Sequence, residues 1–513
     1  MLREWAEKQV EESGLGDRDD APPHTPLAWA QVSVPANECL GAQRCPFGSE
    51  CLSEAAREKA RKADLVVTNH AMLAIDALNG NNVLPEHDTV IIDEAHELVD
   101  RFTGAASKGL SPSLVTMTSK RASTWLDDDV SADLLNQADV LARALEATAP
   151  GQVTEPEAQV IQACTVLRDL AREAVSQLGR RDEDSRESVD AERVQAQATM
   201  REVFEIVDRM VSMAVADVVW VSESEKGYRS IHVAPLSVAG LLRENVFAGA
   251  ITILTSATLC IGGSFLATAR NVGLSPREQI EGDAPEVLDT QMGWRGVDVG
   301  SPFDYSKQGI LYVGKSLPRP GRDGIAPEVL DDLAELIWAA GGRTLGLFSS
   351  HRNAVAASEH MRRVMPDIPV LCQGEGHLAD LTRRFTADPR TCLFGTLSLW
   401  QGVDVPGDTC RLVIIDRIPF PRPDDPLMAA RGKAVQDAGG NGFMTVSAGH
   451  AALLLAQGAG RLIRRSDDRG VVAVLDPRLA TARYGGFLRA SMPSFWTTTD
   501  REMAVGALRR LGE

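Results

Sequence analysis

Val90-Ile91-Ile92-Asp93-Glu94-Ala95-His96 is the stretch on which the reading of this chain turns. Three consecutive β-branched residues suit a parallel strand covered on both faces, and the run breaks at two carboxylates. A strand that ends in Asp-Glu sets both carboxylates at the edge of a sheet. There the first can hold Mg²⁺ on a triphosphate, and the second can orient and deprotonate an attacking water. The plainer alternative is a strand end at which Glu94 merely caps the next helix.

Outward from this stretch the pattern is α/β. Residues 13–38, rich in Pro, Gly and Asp, read as an exposed loop. A helix is expected over 54–63, and Leu65-Val66-Val67 as a short buried strand ending at Thr68-Asn69-His70. From about residue 105 to 220 strand signals vanish. Val160, Cys164, Leu167, Ala171, Val175 and Leu178 repeat at spacings of three and four, as do Val203, Val207, Met210 and Ala214, which predicts a helical insertion. A solvated hinge, Arg180-Arg181-Asp182-Glu183-Asp184-Ser185, divides it. Strand signals return at Ile251–Leu254, Thr344–Phe348, Val370–Leu371, Cys392–Phe394, Leu412–Ile415 and Val471–Leu475, alternating with helices such as Pro327–Ala340 and Val446–Ile463. That alternation predicts a doubly wound α/β domain.

The totals exclude several classes. At 513 residues the chain is too long for one core. No apolar run is long enough to span a membrane, and the charged N-terminus has no signal-peptide core, so a cytoplasmic location is expected. The net charge of −18 counts mildly against a nucleic-acid partner, although strand binding needs only a local basic groove. Eight cysteines do not make a disulfide scaffold. Cys39, Cys45 and Cys51 cluster and suggest a metal loop. Cys164, Cys372, Cys392 and Cys410 fall on apolar stripes or strands and read as small core residues.

Two further motifs carry chemistry. Thr255-Ser256-Ala257-Thr258-Leu259 places hydroxyls at another strand end. Gln457-Gly458-Ala459-Gly460-Arg461-Leu462-Ile463-Arg464 would, as a helix, turn Gln457, Arg461 and Arg464 to one side. Two guanidiniums beside a glutamine, with Gly460 admitting a close backbone approach, suit a γ-phosphate in transition.

In this order the Asp-Glu-Ala-His, Thr-Ser-Ala-Thr-Leu and Gln-x-x-Gly-Arg-x-x-Arg stretches resemble the motor motifs of superfamily-two helicases. Trp400-Gln401-Gly402-Val403-Asp404-Val405-Pro406-Gly407 looks like the fifth motif of the DinG and XPD branch, with Gln401 where that branch more often has Glu. Ser301-Pro302-Phe303-Asp304-Tyr305 looks like its entry to the second motor domain, and Leu347-Phe348-Ser349-Ser350 like its fourth motif. The likeness runs from about Cys39 to Asp476 and is nearest to the bacterial DinG-like helicases.

The resemblance implies two RecA-like motor domains, with an inserted arch and an iron–sulfur loop. Expected boundaries are 1–104 for the remainder of the first motor domain, with the metal loop at 39–51, and 105–224 for the arch. The end of the first motor domain and a linker would occupy 225–290, and the second motor domain 291–513. It implies ATP-dependent 5′-to-3′ unwinding of DNA by a monomer that binds single-stranded or forked DNA, in DNA repair or replication. Asp93 would bind Mg²⁺, Glu94 activate water, and Arg461 and Arg464 meet the triphosphate, with Gln457, Gly460, Gly402 and Asp404 binding nucleotide. His96, Ser256, Thr258, Ser350 and Trp400 would couple turnover to the strand.

In that family, cysteines between the first two motor motifs hold a 4Fe–4S cluster, which normally takes four thiolates. Cys39, Cys45 and Cys51 supply three. A zinc site completed by His24, or three unliganded thiols, are the other readings.

A helicase motor also grips ATP through a strand, a Gly-Lys-Ser/Thr loop and a helix N-terminus. The 38 residues before Cys39 contain no such loop. Gly309-Ile310-Leu311-Tyr312-Val313-Gly314-Lys315-Ser316 satisfies the written pattern in the wrong context. Ile310–Val313 reads as a strand, and the Leu317-Pro318-Arg319-Pro320 that follows cannot start the required helix. The chain as it stands is therefore expected to be inactive in ATP hydrolysis, either as a shortened copy or as a strand-binding protein without a working motor.

Overall fold

The computed structural model describes residues 1–512 apart from 13, 15, 35–38, 40, 43–44, 46, 180–186, 281–291, 322–323, 397–398 and 400–409. Three packed bodies result: a small α/β unit around the Asp-Glu stretch, an inserted helical unit, and a large α/β unit.

In the first body, β1 (Thr89–Ile92) pairs in parallel with the strand Ile251–Leu254, in the register Thr89↔Ile251 through Ile92↔Leu254. Among the described residues this sheet has these two strands alone. One side is covered: Ile92, Leu98 and Phe102 pack with Leu73, Leu242 and Val246 in one core. The rest is bare, with Ile91 67% and Ile251 70% exposed. The expected strand at Leu65–Val67 does not form; it is irregular, and Val67 is 88% exposed. A strand exists through its neighbours' hydrogen bonds, and no described strand lies beside this run. The apolar triplets at 65–67 and 90–92 carry the composition of a doubly covered sheet without the cover.

The insertion leaves through the helix Leu98–Ala106 and returns before Ile251. Its helices Pro112–Ala122, Asp128–Ala147, Gln159–Leu178 and Glu187–Ser212 bury the predicted stripe, with Val160, Cys164, Leu167, Val203 and Val207 in one core. The hinge 180–185 lies outside the described residues. The unit is not purely helical as expected: β2 (Lys108–Leu110), β3 (Gly151–Gln152), β4 (Asp217–Glu223) and β5 (Arg229–Pro235) form an antiparallel sheet in the order β2-β5-β4-β3. Val219, Val221, Ile231 and Val233 alternate onto the helices, the period-two signature of a half-covered sheet. Three of these strands fall where only helix was read, because two are very short. The expected boundary at 224 falls in the β4–β5 turn, so the sheet runs past it to Pro235.

With β6 for Ile251–Leu254, the large body is a seven-stranded, wholly parallel sheet. It comprises β7 (Gly309–Val313), β8 (Thr344–Leu347), β9 (Val370–Cys372), β10 (Cys392–Gly395), β11 (Leu412–Ile415), β12 (Gly470–Val474) and β13 (Trp496–Thr498), in the order β13-β7-β12-β11-β8-β10-β9. Strands β8 to β12 are buried along their whole length, Cys372 and Cys392 among them, as helices on both faces require. The Gly309–Ser316 pattern is β7 followed by the tight turn Leu317 N–H to Gly314 O. No helix starts there, so the pattern holds no phosphate loop. The helix expected over 446–463 is instead a π-helical segment Phe443–Ala448 running directly into an α-helix, Gly449–Ala459.

Arg431, on the helix Pro426–Asp437 of the large body, ties the three bodies together. Its Nε donates to Leu236 O at the root of the insertion, and its Nη2 donates to Thr103 Oγ1 on the helix Leu98–Ala106, both at 2.9 Å. Asp100 and Asp425 balance its charge. A charged hydrogen bond contributes roughly 1.5–3 kcal/mol, so Arg431→Ala should loosen this joint by about that much. Hydrogen exchange should then rise in Pro426–Asp437 and in β4–β5 while the β8–β11 core stays protected. Unchanged exchange in those segments would show that the joint is held by packing alone.

Candidate active site at the Asp-Glu edge

The β1–β6 pairing continues past the strand ends. Thr255 N–H donates to Ile92 O at 2.8 Å, and Ala95 N–H donates to Thr255 O at 2.9 Å. The Thr-Ser-Ala-Thr stretch is thereby laid along the Asp-Glu-Ala-His stretch, some 160 residues away in sequence. Thr255 Oγ1 donates to Asp93 Oδ1 at 2.8 Å, and the Glu94 N–H donates to the same oxygen at 2.9 Å. These two donors hold the Asp93 carboxyl below the usual carboxylate range, the Thr255 hydroxyl first. Asp93 is thus kept anionic, as a Mg²⁺ ligand must be. On its backbone side, His70 Nε2 lies 2.8 Å from Asp93 O.

Glu94 adopts a left-handed backbone conformation, with φ 48° and ψ 42°. Such a conformation strains a residue with a Cβ and marks sites where side-chain direction matters more than backbone comfort. Here it brings Glu94 Oε2 to 3.2 Å from His96 Nδ1 and 3.4 Å from Ser256 Oγ. Ser256 Oγ and His96 Nδ1 are 2.8 Å apart, and Thr258 Oγ1 lies 3.2 Å from Ser256 Oγ. Glu94, His96, Ser256 and Thr258 therefore form one connected polar chain from the Asp-Glu stretch to the Thr-Ser-Ala-Thr stretch.

Burial pushes the His96 imidazole below its ordinary range, against Glu94 and Glu97, which pull it up. Arg461 of the large body also lies close enough to depress it. Gln457 is buried, and its Oε1 has no hydrogen-bond partner among the described residues. An unsatisfied buried amide oxygen is costly and suits a position awaiting a ligand's donor. The three groups are not on one helix as expected. The helix stops at Ala459 with Gly460 as its cap. Asp468 Oδ2 then accepts from the N–H groups of Arg464 at 2.7 Å and Arg465 at 2.8 Å, which winds the chain into a loop carrying both guanidiniums.

Other expected site residues lie elsewhere. Ser350 follows β8 on the opposite, carboxyl edge of the large sheet, where its hydroxyl caps the helix His351–Val364. Trp400, Gly402 and Asp404 lie outside the described residues. Cys39, Cys45 and Cys51 are each at least partly accessible, but among the described residues no three Cys, His, Asp or Glu side chains converge as metal ligands. His24 is engaged with Arg18, Pro22 O and the face of Trp29. Sequence reasoning passed over Thr255 Oγ1 and His70 as site groups. Both follow strand-like runs that end at the same edge, which was the available signal.

Residues 333–495 match the helicase C-terminal domain family. The ATP-dependent helicase DinG of Mycobacterium tuberculosis H37Rv is 52% identical over 522 residues, which cover 99% of this chain and 75% of that protein. The chain belongs to the DinG helicase family. The ATP-dependent DNA helicase YoaA of Escherichia coli K12 is 31% identical, covering 98% of this chain and 78% of that protein. Among solved structures, Xpd4 of S. tokodaii shares the fold, with a TM-score of 0.52 at 12% identity over 84% of this chain and 81% of that one. The family membership fits a RecA-like reading of both parallel sheets. No helix among the described residues is long and apolar enough to cross a membrane.

His96 should titrate below the ordinary 6.5 in a proton NMR titration of its ring. The sign for stability follows: a depressed folded-state value favours the neutral ring, so stability falls as pH drops below about 6.5, where the unfolded chain takes up the proton first. His96→Gln should remove that slope. A His96 ring that titrates at or above 6.5 would show that it is not sealed in the polar chain.

Proposed function

We propose that this chain is the greater part of an ATP-driven DNA helicase, with the nucleotide between the β1–β6 edge and the Gln457–Arg464 loop. Asp93 holds the metal of a bound Mg²⁺–ATP, and Glu94 takes the proton of the attacking water. Arg461 and Arg464 meet the γ-phosphate across the cleft. The observation that carries this reading is the polar chain Glu94–His96–Ser256–Thr258 with Arg461 beside it. It joins the groups that would sense phosphate loss to the stretch that leads into the second sheet. Its substrate is single-stranded or forked DNA, moved 5′ to 3′ as the resemblance implies, in the setting of DNA repair.

The strand itself is assigned to the carboxyl edge of the large sheet. Ser349, Ser350, Lys315, Arg352 and Arg417 all follow strands there, and Arg417 donates to Gly321 O at 3.1 Å beside a cavity of about 340 Å³ that Arg319 also lines. This local basic edge answers the overall charge of −18, because phosphate contacts need only a nearby groove of cations. Cys39, Cys45 and Cys51 would supply three of the four thiolates that a 4Fe–4S cluster normally takes.

Two outcomes test the reading. The 513-residue chain, which carries no Gly-Lys-Ser/Thr loop in a strand–loop–helix setting, should hydrolyse ATP negligibly even with oligonucleotide present. Losing one such electrostatic contact typically costs about two to three orders of magnitude, and strand-stimulated turnover like that of an intact helicase would overturn this. In a form of the protein that carries a phosphate loop, Glu94→Gln should keep nucleotide binding and abolish turnover. Arg464→Ala should cost about three to five orders of magnitude in rate and also weaken nucleotide-driven closure, read as the distance between fluorophores on the two sheets. Normal hydrolysis and closure in Arg464→Ala would return that residue to the surface.

A further inference from the structure

Phe420, Phe443 and Tyr484 come from three separate segments, after β11, at the start of the π-helical segment and after β12, and meet on the carboxyl edge of the large sheet. Their ring centroids lie 5.3–5.5 Å apart, at interplanar angles of 41°, 54° and 88°. Packing alone would bury such a cluster, yet Phe443 is 44% exposed. The cluster is built rather than incidental. At Gly442 a Cβ would lie 2.1 Å from Gly432 O, so glycine alone lets the two helices approach where Phe443 begins. Phe443 also opens a π-helical segment, Phe443–Ala448, and such segments concentrate at functional positions.

The surroundings specify the occupant. Arg478 stacks 5.6 Å above the Phe420 ring while its guanidinium is pinned to the buried Asp476 carboxylate, with Nη2 donating to Oδ2 at 2.7 Å. Arg422 and Arg483, two residues from Phe420 and one from Tyr484, are exposed, and neither forms an ion pair among the described residues. Of the nearby acids, Asp476 is paired with Arg478, and Asp425 caps the N–H of Met428 and acts electrostatically on Arg431. Asp424 alone stays exposed against the two arginines. Flat π-faces rimmed by unpaired guanidiniums fit a ligand that presents flat faces and a polyanionic backbone together, which is an unpaired nucleic-acid strand.

We infer that Phe443, backed by Phe420 and Tyr484, is a base-stacking ledge for the unpaired DNA strand, with Arg422 and Arg483 on the adjoining phosphates. This rests on the strand-translocating reading and adds to it a residue and a mode of contact. It also gives the contact a route to the nucleotide. Phe443 is the first residue and Ala459 the last of one unbroken rod, six π-helical residues followed by eleven α-helical ones. At roughly 1.5 Å per residue, it runs about 25 Å from the ledge to Gln457 and the arginine loop.

The test uses the 513-residue chain and a fluorescein-labelled oligothymidylate, with an oligomer of equal length and charge whose bases are replaced by abasic sites. Fluorescence anisotropy gives both affinities across a salt series. The parent chain should bind the base-bearing strand about tenfold or more tighter, since one stacked base contributes roughly 5- to 150-fold. Phe443→Leu keeps the apolar packing but removes the π-face, so it should collapse that ratio toward one without changing the salt slope; Phe443→Trp should restore it. Arg483→Gln should do the reverse, lowering the slope by about 1 and leaving the ratio intact. A parent chain that binds neither strand overturns the helicase reading and the ledge with it. A parent that binds both equally, or a Phe443→Leu variant that keeps the full ratio, overturns the ledge alone.

Discussion

Two backbone hydrogen bonds, Thr255 N–H to Ile92 O and Ala95 N–H to Thr255 O, underlie the candidate site and everything that acts through it. They fix the register in which a hydroxyl stretch and a carboxylate stretch lie side by side. A slip of one residue in a β pairing turns every side chain to the other face. Such a slip here would take Thr255 Oγ1 off Asp93 and Ser256 off His96. The left-handed Glu94 is tolerated because the chain on both sides of it is held by this pairing.

The second sheet depends on that register in a different way. It can be built without it, since its strands are buried and paired among themselves. Its arginine loop has work to do only where the first edge is correctly formed. Arg431, through Leu236 O and Thr103 Oγ1, ties the large body to the helix that leaves that edge and to the root of the insertion.

Much of this was legible in the amino-acid order. The buried parallel strands of the large sheet announce themselves as continuous apolar runs, and β7 through β12 lie within a residue or so of the expected places. The Asp-Glu and Thr-Ser-Ala-Thr motifs were legible because their chemistry is carried by adjacent residues at a strand end. The antiparallel sheet of the insertion was not, because β2 and β3 are too short to show a period and β4 lies just beyond a long helix. Leu65–Val67 misled for the opposite reason: composition says what a segment would prefer, and pairing decides what it becomes. The helix end at Ala459 was hidden too, since the carboxylate that unwinds the next turn, Asp468, lies several residues ahead.

The insertion enters from the carboxyl end of β1 and returns to the amino end of β6, and these two strands are immediate neighbours. Tension that reaches the two strands through the insertion therefore loads the β1–β6 seam in shear, with its hydrogen bonds loaded together rather than one after another. The carboxylate and hydroxyl stretches sit at the end of that seam. Drag on the arm and the spacing between Asp93 and Thr255 are two readings of one mechanical coordinate.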